Sequence, residues 1–196
     1  MTLSETAPLI PWMRLIFATL ALAFPLVASA CPDAPDRSAD MAALIDAARA
    51  APTEQKGREI GQKMWEIWAT APDEEAQAIL DRGLTRLSGY DRLGAISDFD
   101  KLIAYCPDYA EGHNQRAFAY FLSGDFEEAV LSLHRALALN PTHVAARAGL
   151  ALSFLQLGEL EKARVELLGA LELNPWLSER ALLAPGGALE PTGKDI

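Results

Sequence analysis

A chain of 196 residues that is 51% apolar has material for one elongated domain with a continuous core. Its 17 basic against 27 acidic side chains give a net charge of −10. That balance excludes nucleic acid as an expected partner, because phosphate backbones are met by clustered Lys and Arg. Only Cys31 and Cys106 are present, so there is no paired-cysteine metal motif.

Residues 15–30 form an uncharged apolar run behind Arg14 and end in Ala28-Ser29-Ala30, a small-x-small cleavage signal. This layout predicts a secretory leader over residues 1–30, cut near Ala30, with the mature chain periplasmic or extracellular. The run is short for a membrane span and contains Pro25. Two start sites fit the leader, Met1 and Met13, the second giving the more ordinary opening Met13-Arg14-Leu15-Ile16-Phe17. Cleavage removes Arg14 and Glu5, so the net charge is unchanged. An acidic exported surface fits solubility, and it also suits basic partners.

Over residues 38–72, Met41, Leu44, Ile45 and Ala48 recur at helical spacing, followed by Pro52-Thr53 and a second run with Ile60, Met64, Trp65, Ile67 and Trp68. The pattern predicts a helical hairpin. Trp65 and Trp68 are expected to plug the open amino end of the domain, the other reading being an exposed aromatic partner site. Gly57 and Gly61 inside the second helix call for a kink or a close approach.

From residue 73 onward the chain repeats itself. Pro107, Pro141 and Pro175 stand 34 residues apart; Ala95, Ala129 and Ala163 precede them by twelve, and Phe99, Leu133 and Leu167 by eight. A period of this length belongs to stacked helix–turn–helix units. Small residues let neighbouring helices approach, and large ones a turn away fill the groove between them. Asp108 with Glu111 and Asp125 with Glu128 have capping-box spacing; Asp73 and Asp91 also suit the N-cap role. Asn140-Pro141 and Asn174-Pro175 stop helices.

Ala117, Tyr120, Gly124, Ala129 and Pro141, with Ala151, Phe154, Gly158, Ala163 and Pro175 in the next copy, resemble the tetratricopeptide repeat. The first copy keeps Gly83, Ala95, Phe99 and Pro107 but has Arg86 at the aromatic position, and its turn glycine, Gly89, comes one residue early. The resemblance implies an all-α, right-handed solenoid of antiparallel helix pairs. It has three clear repeats (about 76–107, 110–141 and 144–175) within a unit spanning 73–183, preceded by the divergent hairpin and closed by a short capping helix over 176–183. Residues 184–196, rich in Gly and Pro, are expected to be a mobile tail. Residues 105–117 and the Trp65–Ala69 run are also similar to small exported tetratricopeptide proteins of alphaproteobacteria.

The cysteines carry two competing expectations. Export into an oxidising space favours a Cys31–Cys106 disulfide. Cysteine directly after a small residue also resembles the lipidation site of bacterial lipoproteins, although Ala28 stands where leucine is preferred. Each use of Cys31 excludes the other, and membrane contact is expected only if Cys31 is lipidated.

No catalytic constellation, metal site or cofactor motif is apparent. His113, His134 and His143 are dispersed, and Asp98 and Asp100, two apart on one helix, are expected on a solvated face. In this family the first helices of the pairs line the concave side. The resemblance therefore implies a groove formed by Leu84, Leu87, Asn114, Phe118, Phe121, Ala148, Leu152 and Leu155, with Leu80 beside them. Relatives that grip a terminal carboxylate use Lys, Arg and Asn at such positions, and only Asn114 fits. Three occupants are open: the chain's own terminal segments, a partner helix or extended peptide, and an apolar small ligand. The expected function is an exported, non-catalytic protein-interaction scaffold. The alternative is a lipid-anchored structural subunit of an envelope assembly or secretion complex.

Overall fold

The computed structural model describes residues 31–191. Among them the elements are α1 (Ser38–Arg49), α2 (Glu54–Trp68), α3 (Glu74–Ser88), α4 (Arg92–Tyr105), α5 (Ala110–Ser123), α6 (Phe126–Leu139), α7 (Val144–Gln156) and α8 (Leu160–Leu173), then a 3-10 helix at Ser178–Leu183. The expected leader lies outside the described residues.

Helices α3 to α8 form an α-solenoid: α3 pairs with α4, α5 with α6 and α7 with α8, while α4 packs on α5 and α6 on α7. The alanines set by the repeat, Ala95, Ala129 and Ala163, have no exposed surface, and Phe99, Leu133 and Leu167 fill the space beside them. The first copy's early glycine has a local consequence. Gly124 and Gly158 take left-handed backbone at φ 86° and 76°, and the position 34 residues before Gly124 is Tyr90, which adopts φ 64° itself. Asp73 accepts from the Ala76 amide at 2.8 Å and Asp91 from the Gly94 amide at 3.0 Å, as their N-cap roles require. Asp125 makes no such bond, and α5 begins after Tyr109 rather than at Asp108.

The amino-terminal hairpin is where the architecture departs from expectation. Helices α1 and α2 do not plug the amino end of the stack. They lie along the row of corners where one repeat hands over to the next. Trp68 stacks on His143 with ring centroids 4.2 Å apart, and its carbonyl accepts from the Tyr109 hydroxyl at 2.6 Å. At the other end of α2, Gly57 lies against Trp176, and Trp176 Nε1 donates to the Ala48 carbonyl at 3.1 Å. Arg49 Nε donates to the Glu172 carbonyl at 2.7 Å. Tyr109, His143 and Trp176 are thus joined by one helix, a brace laid across all three repeats. Met41, Ile45, Ile60, Met64 and Trp68 bury their apolar surface with Val144, and Leu173 and Leu177 pack against the same cluster. This contact outcompetes end-stacking because the corners offer an apolar row to a helix whose own apolar face is otherwise wet.

A disulfide joins Cys31 to Cys106, with Cα atoms 5.1 Å apart. The carboxy-terminal segment is also tied down. Leu189 is fully buried, Arg164 Nε donates to its carbonyl at 3.1 Å, and Leu182 and Leu183 pack on the same cluster. Residues 184–191 are therefore held against α8 rather than forming a mobile tail; residues 192–196 lie outside the described residues.

Candidate functional site

On the side of the solenoid formed by α5 and α7 is a cavity of about 220 Å³. Its walls include Asn114, Phe118, Phe121 and Leu152, together with Trp65 from the brace and Ser153. The helical period explains the split between core and cavity: Ala117 and Ala119 turn inward with almost no exposed surface, and Phe118 between them is 49% exposed. Phe121, at i+3 from Phe118, is steadied edge-on by Phe126 at 5.3 Å. No Lys, Arg, Asp or Glu lines this cavity.

The other expected groove residues sit elsewhere. Leu84 and Leu87 pack half-buried against the core of the first repeat, Leu155 against that of the second and third, and Ala148 is buried. Leu80 is completely buried, so it belongs to the core and not to the groove. Asn114 is committed as well: its Nδ2 donates to Glu111 Oε2 at 3.1 Å.

Trp65 and Trp68 face different surroundings, and neither caps the amino end of the stack. Trp68 is buried under the corner, whereas Trp65 is 41% exposed and forms one wall of the cavity. Among the described residues the amino-terminal hairpin supplies only Trp65 to this cavity, and Phe118 stays 49% exposed.

Beneath Trp68 lies a buried polar network that sequence reasoning missed. Glu111 and His143 are nearly inaccessible, and His143 Nε2 donates to Glu111 Oε2 at 2.8 Å. His143 Nδ1 accepts from the Ala146 amide at 3.2 Å and so caps α7, which fixes the tautomer with the proton on Nε2. Gln115 Nε2 donates to Glu111 Oε1 at 2.5 Å. The carboxylate is also close to the amino end of α5, where the helix dipole favours negative charge. The only signal was the 32-residue offset that puts Glu111 and His143 at successive corners. A cleft of about 440 Å³ opens beside this network, between residues 34–38 and the corners, but the side chains of Glu111 and Tyr109 in its wall are already satisfied internally.

Asp98 and Asp100 do not converge on a common point. Asp98 is not on a solvated face. It is 1% exposed and paired with Arg82, Arg86 and Lys101 at 3.1, 2.8 and 3.0 Å, whereas Asp100 is exposed and paired with Arg116. Burial would raise the Asp98 pKa, but its Lys101 and Arg82 contacts outweigh that and hold it below the ordinary aspartate value. Among the described residues no cluster of three or more His, Cys, Asp or Glu side chains is placed to hold a metal ion.

Comparison with known proteins gives the following likenesses. A family profile described as tetratricopeptide repeat matches residues 120–179. A TPR repeat-containing protein of Rhizobium etli is 35% identical over 57 residues, 29% of this chain; the match spans 28% of the length of that curated relative. Among solved structures, the first TPR of Spaghetti (RPAP3) bound to the HSP90 peptide SRMEEVD superposes with a TM-score of 0.54 at 25% identity, covering 56% of this chain and 87% of that one. The Arabidopsis OM64 TPR domain gives 0.54 at 18% identity over 56% of this chain and 90% of that one, a likeness of fold alone.

Proposed function

We propose, from the premise that this chain is a tetratricopeptide-repeat protein, that it is an exported, non-catalytic interaction module whose concave face takes the apolar side of a partner helix or peptide. The observation that carries this reading is Phe118, half-exposed at the centre of an uncharged cavity walled by Phe121, Leu152 and Trp65. A half-exposed aromatic side chain beside a small apolar cavity offers an anchor point for one apolar side chain of a partner. The Spaghetti (RPAP3) domain bound to a peptide supports a peptide as partner. With no cation in the cavity, recognition here rests on an apolar side chain and not on a terminal carboxylate.

Phe118→Ala combined with Phe121→Ala should reduce partner recovery from a periplasmic extract at least tenfold while leaving the far-ultraviolet circular dichroism spectrum unchanged. Undiminished recovery would overturn the groove assignment. Export is supported by the leader-like residues 1–30 and by the cystine, since such bonds persist in oxidising compartments. Mass spectrometry of the mature amino terminus should find an unmodified chain beginning at Cys31. A lipid on that residue would favour the envelope-anchored subunit instead, a reading the disulfide works against because it occupies the same sulfur.

A further inference from the structure

The α1–α2 hairpin is tethered at both of its chain ends to one corner of the solenoid. In front of α1, residues 32–37 form an exposed leash without secondary structure that runs from Cys31, bonded to Cys106 at the end of α4. Behind α2, the link to α3 is fixed beside the same point: the Ala71 amide donates to Gln77 Oε1 at 2.8 Å, and the Tyr105 hydroxyl donates to Asp73 Oδ2 at 2.7 Å. Tyr105 and Cys106 are neighbours in sequence, so α1 and α2 belong to a loop closed at its base by the disulfide. The two sulfurs are not equally reachable. Both cysteines line a cleft with Pro32, Pro72 and Pro107, but Cys106 is 1% exposed whereas Cys31 is partly exposed.

We infer that the Cys31–Cys106 disulfide is a redox latch on the brace, opened by a dithiol reductant of the thiol–disulfide oxidoreductase class through attack at Cys31. One thiolate of the reductant bonds to the Cys31 sulfur, and the Cys106 sulfur leaves as a thiolate that takes up a proton. The second thiol of the reductant then attacks its own sulfur in the mixed disulfide, leaving an oxidised reductant and two reduced cysteines.

Attack at the accessible sulfur is favoured because access is one of the factors that set exchange rates. With the bond intact, an undocked α1–α2 unit remains a loop pinned at both ends, so it gains little chain entropy by leaving its seat. With the bond cut it becomes a flap hinged at residues 69–73 alone, and opening is less costly. Because Trp65 rides on α2, opening removes one wall of the Phe118 cavity and uncovers the corner row. The functional consequence rests on the groove reading above, whereas the latch itself does not.

The test is amide hydrogen exchange on the full chain, oxidised or reduced with dithiothreitol and capped with iodoacetamide, together with Cys31→Ser, which leaves the buried Cys106 uncapped. In both reduced forms, amides of α1 and α2 should exchange at least tenfold faster while interior amides of α5, α6 and α7 keep their rates. Unchanged exchange in α1 and α2, or an equal rise in every helix, would overturn the latch. A reductant whose second cysteine is replaced by serine should be trapped as a mixed disulfide on Cys31, and an adduct on Cys106 would overturn the direction of attack. Exchange involves no partner, so the latch can fail while the pull-down result stands, and the converse also holds.

Discussion

Tyr90 occupies left-handed backbone that glycine supplies in the two later repeats, and a bulky residue there stores strain of order 1 kcal/mol. The turn of the first repeat therefore closes by geometry imposed from its neighbours rather than by local preference. His113 is a second residue whose state is set by its surroundings. Its Nε2 donates to the Pro107 carbonyl at 3.0 Å, Nδ1 has no hydrogen-bond partner, and desolvation pushes its pKa below the ordinary histidine value. The unfolded chain takes up a proton near pH 6.5, and the folded chain resists it. The stability contributed by neutral His113 is thus full above about pH 6.5 and is lost as pH falls below that value towards the folded pKa. His113→Gln should flatten the fall in urea midpoint between pH 7 and pH 5. An unchanged slope would show that His113 is not the group that titrates.

At the scale of elements, α2 is the least conventional helix. An α-carbon substituent at Gly57 would meet Trp176 Cγ at 2.1 Å, so this glycine serves a close approach, whereas at Gly61 the nearest atom, Asn174 Nδ2, would lie 3.4 Å away. Gly57→Ala would gain helix propensity, but the overlap with Trp176 should leave a net loss of about 1–2 kcal/mol. The measurement is a denaturation midpoint, read with tryptophan emission to register displacement of Trp176. A stabilised variant would mean that α2 does not seat against that corner. The pairing of α3 to α8 was legible from Ala95, Ala129, Ala163 and the prolines because each contact recurs between neighbours along the chain. The seat of α2 was not, since Trp68 on His143 and Gly57 on Trp176 join residues 75 and 119 positions apart and occur once each.

At the scale of the whole molecule, the brace alters what a repeat array ordinarily does. Stacked repeats are stabilised by nearest neighbours, so an end pair can open without disturbing distant ones. Here one helix touches the corners after every repeat, coupling the last pair to the first. Deleting residues 31–69 should lower stability, relative to the reduced full chain, by on the order of 3 kcal/mol or more, because Val144, Leu173 and Leu177 lose their apolar cover. Equal midpoints for the two proteins would mean that the corners are stable uncovered.

Residue identity and spacing alone determined the helix pairs, their register and the small–large packing within them, because each of those features is written again every 34 residues and is satisfied by adjacent units. They also supplied the two cysteines without choosing between their uses. Tertiary structure decided which way Trp65 and Trp68 face, that Glu111 meets His143, that Asp98 is enclosed by three cations, and that Leu189 is buried. Those outcomes depend on surfaces that exist only after the solenoid has assembled, when a helix from the amino end finds a row of corners drawn from three separate repeats.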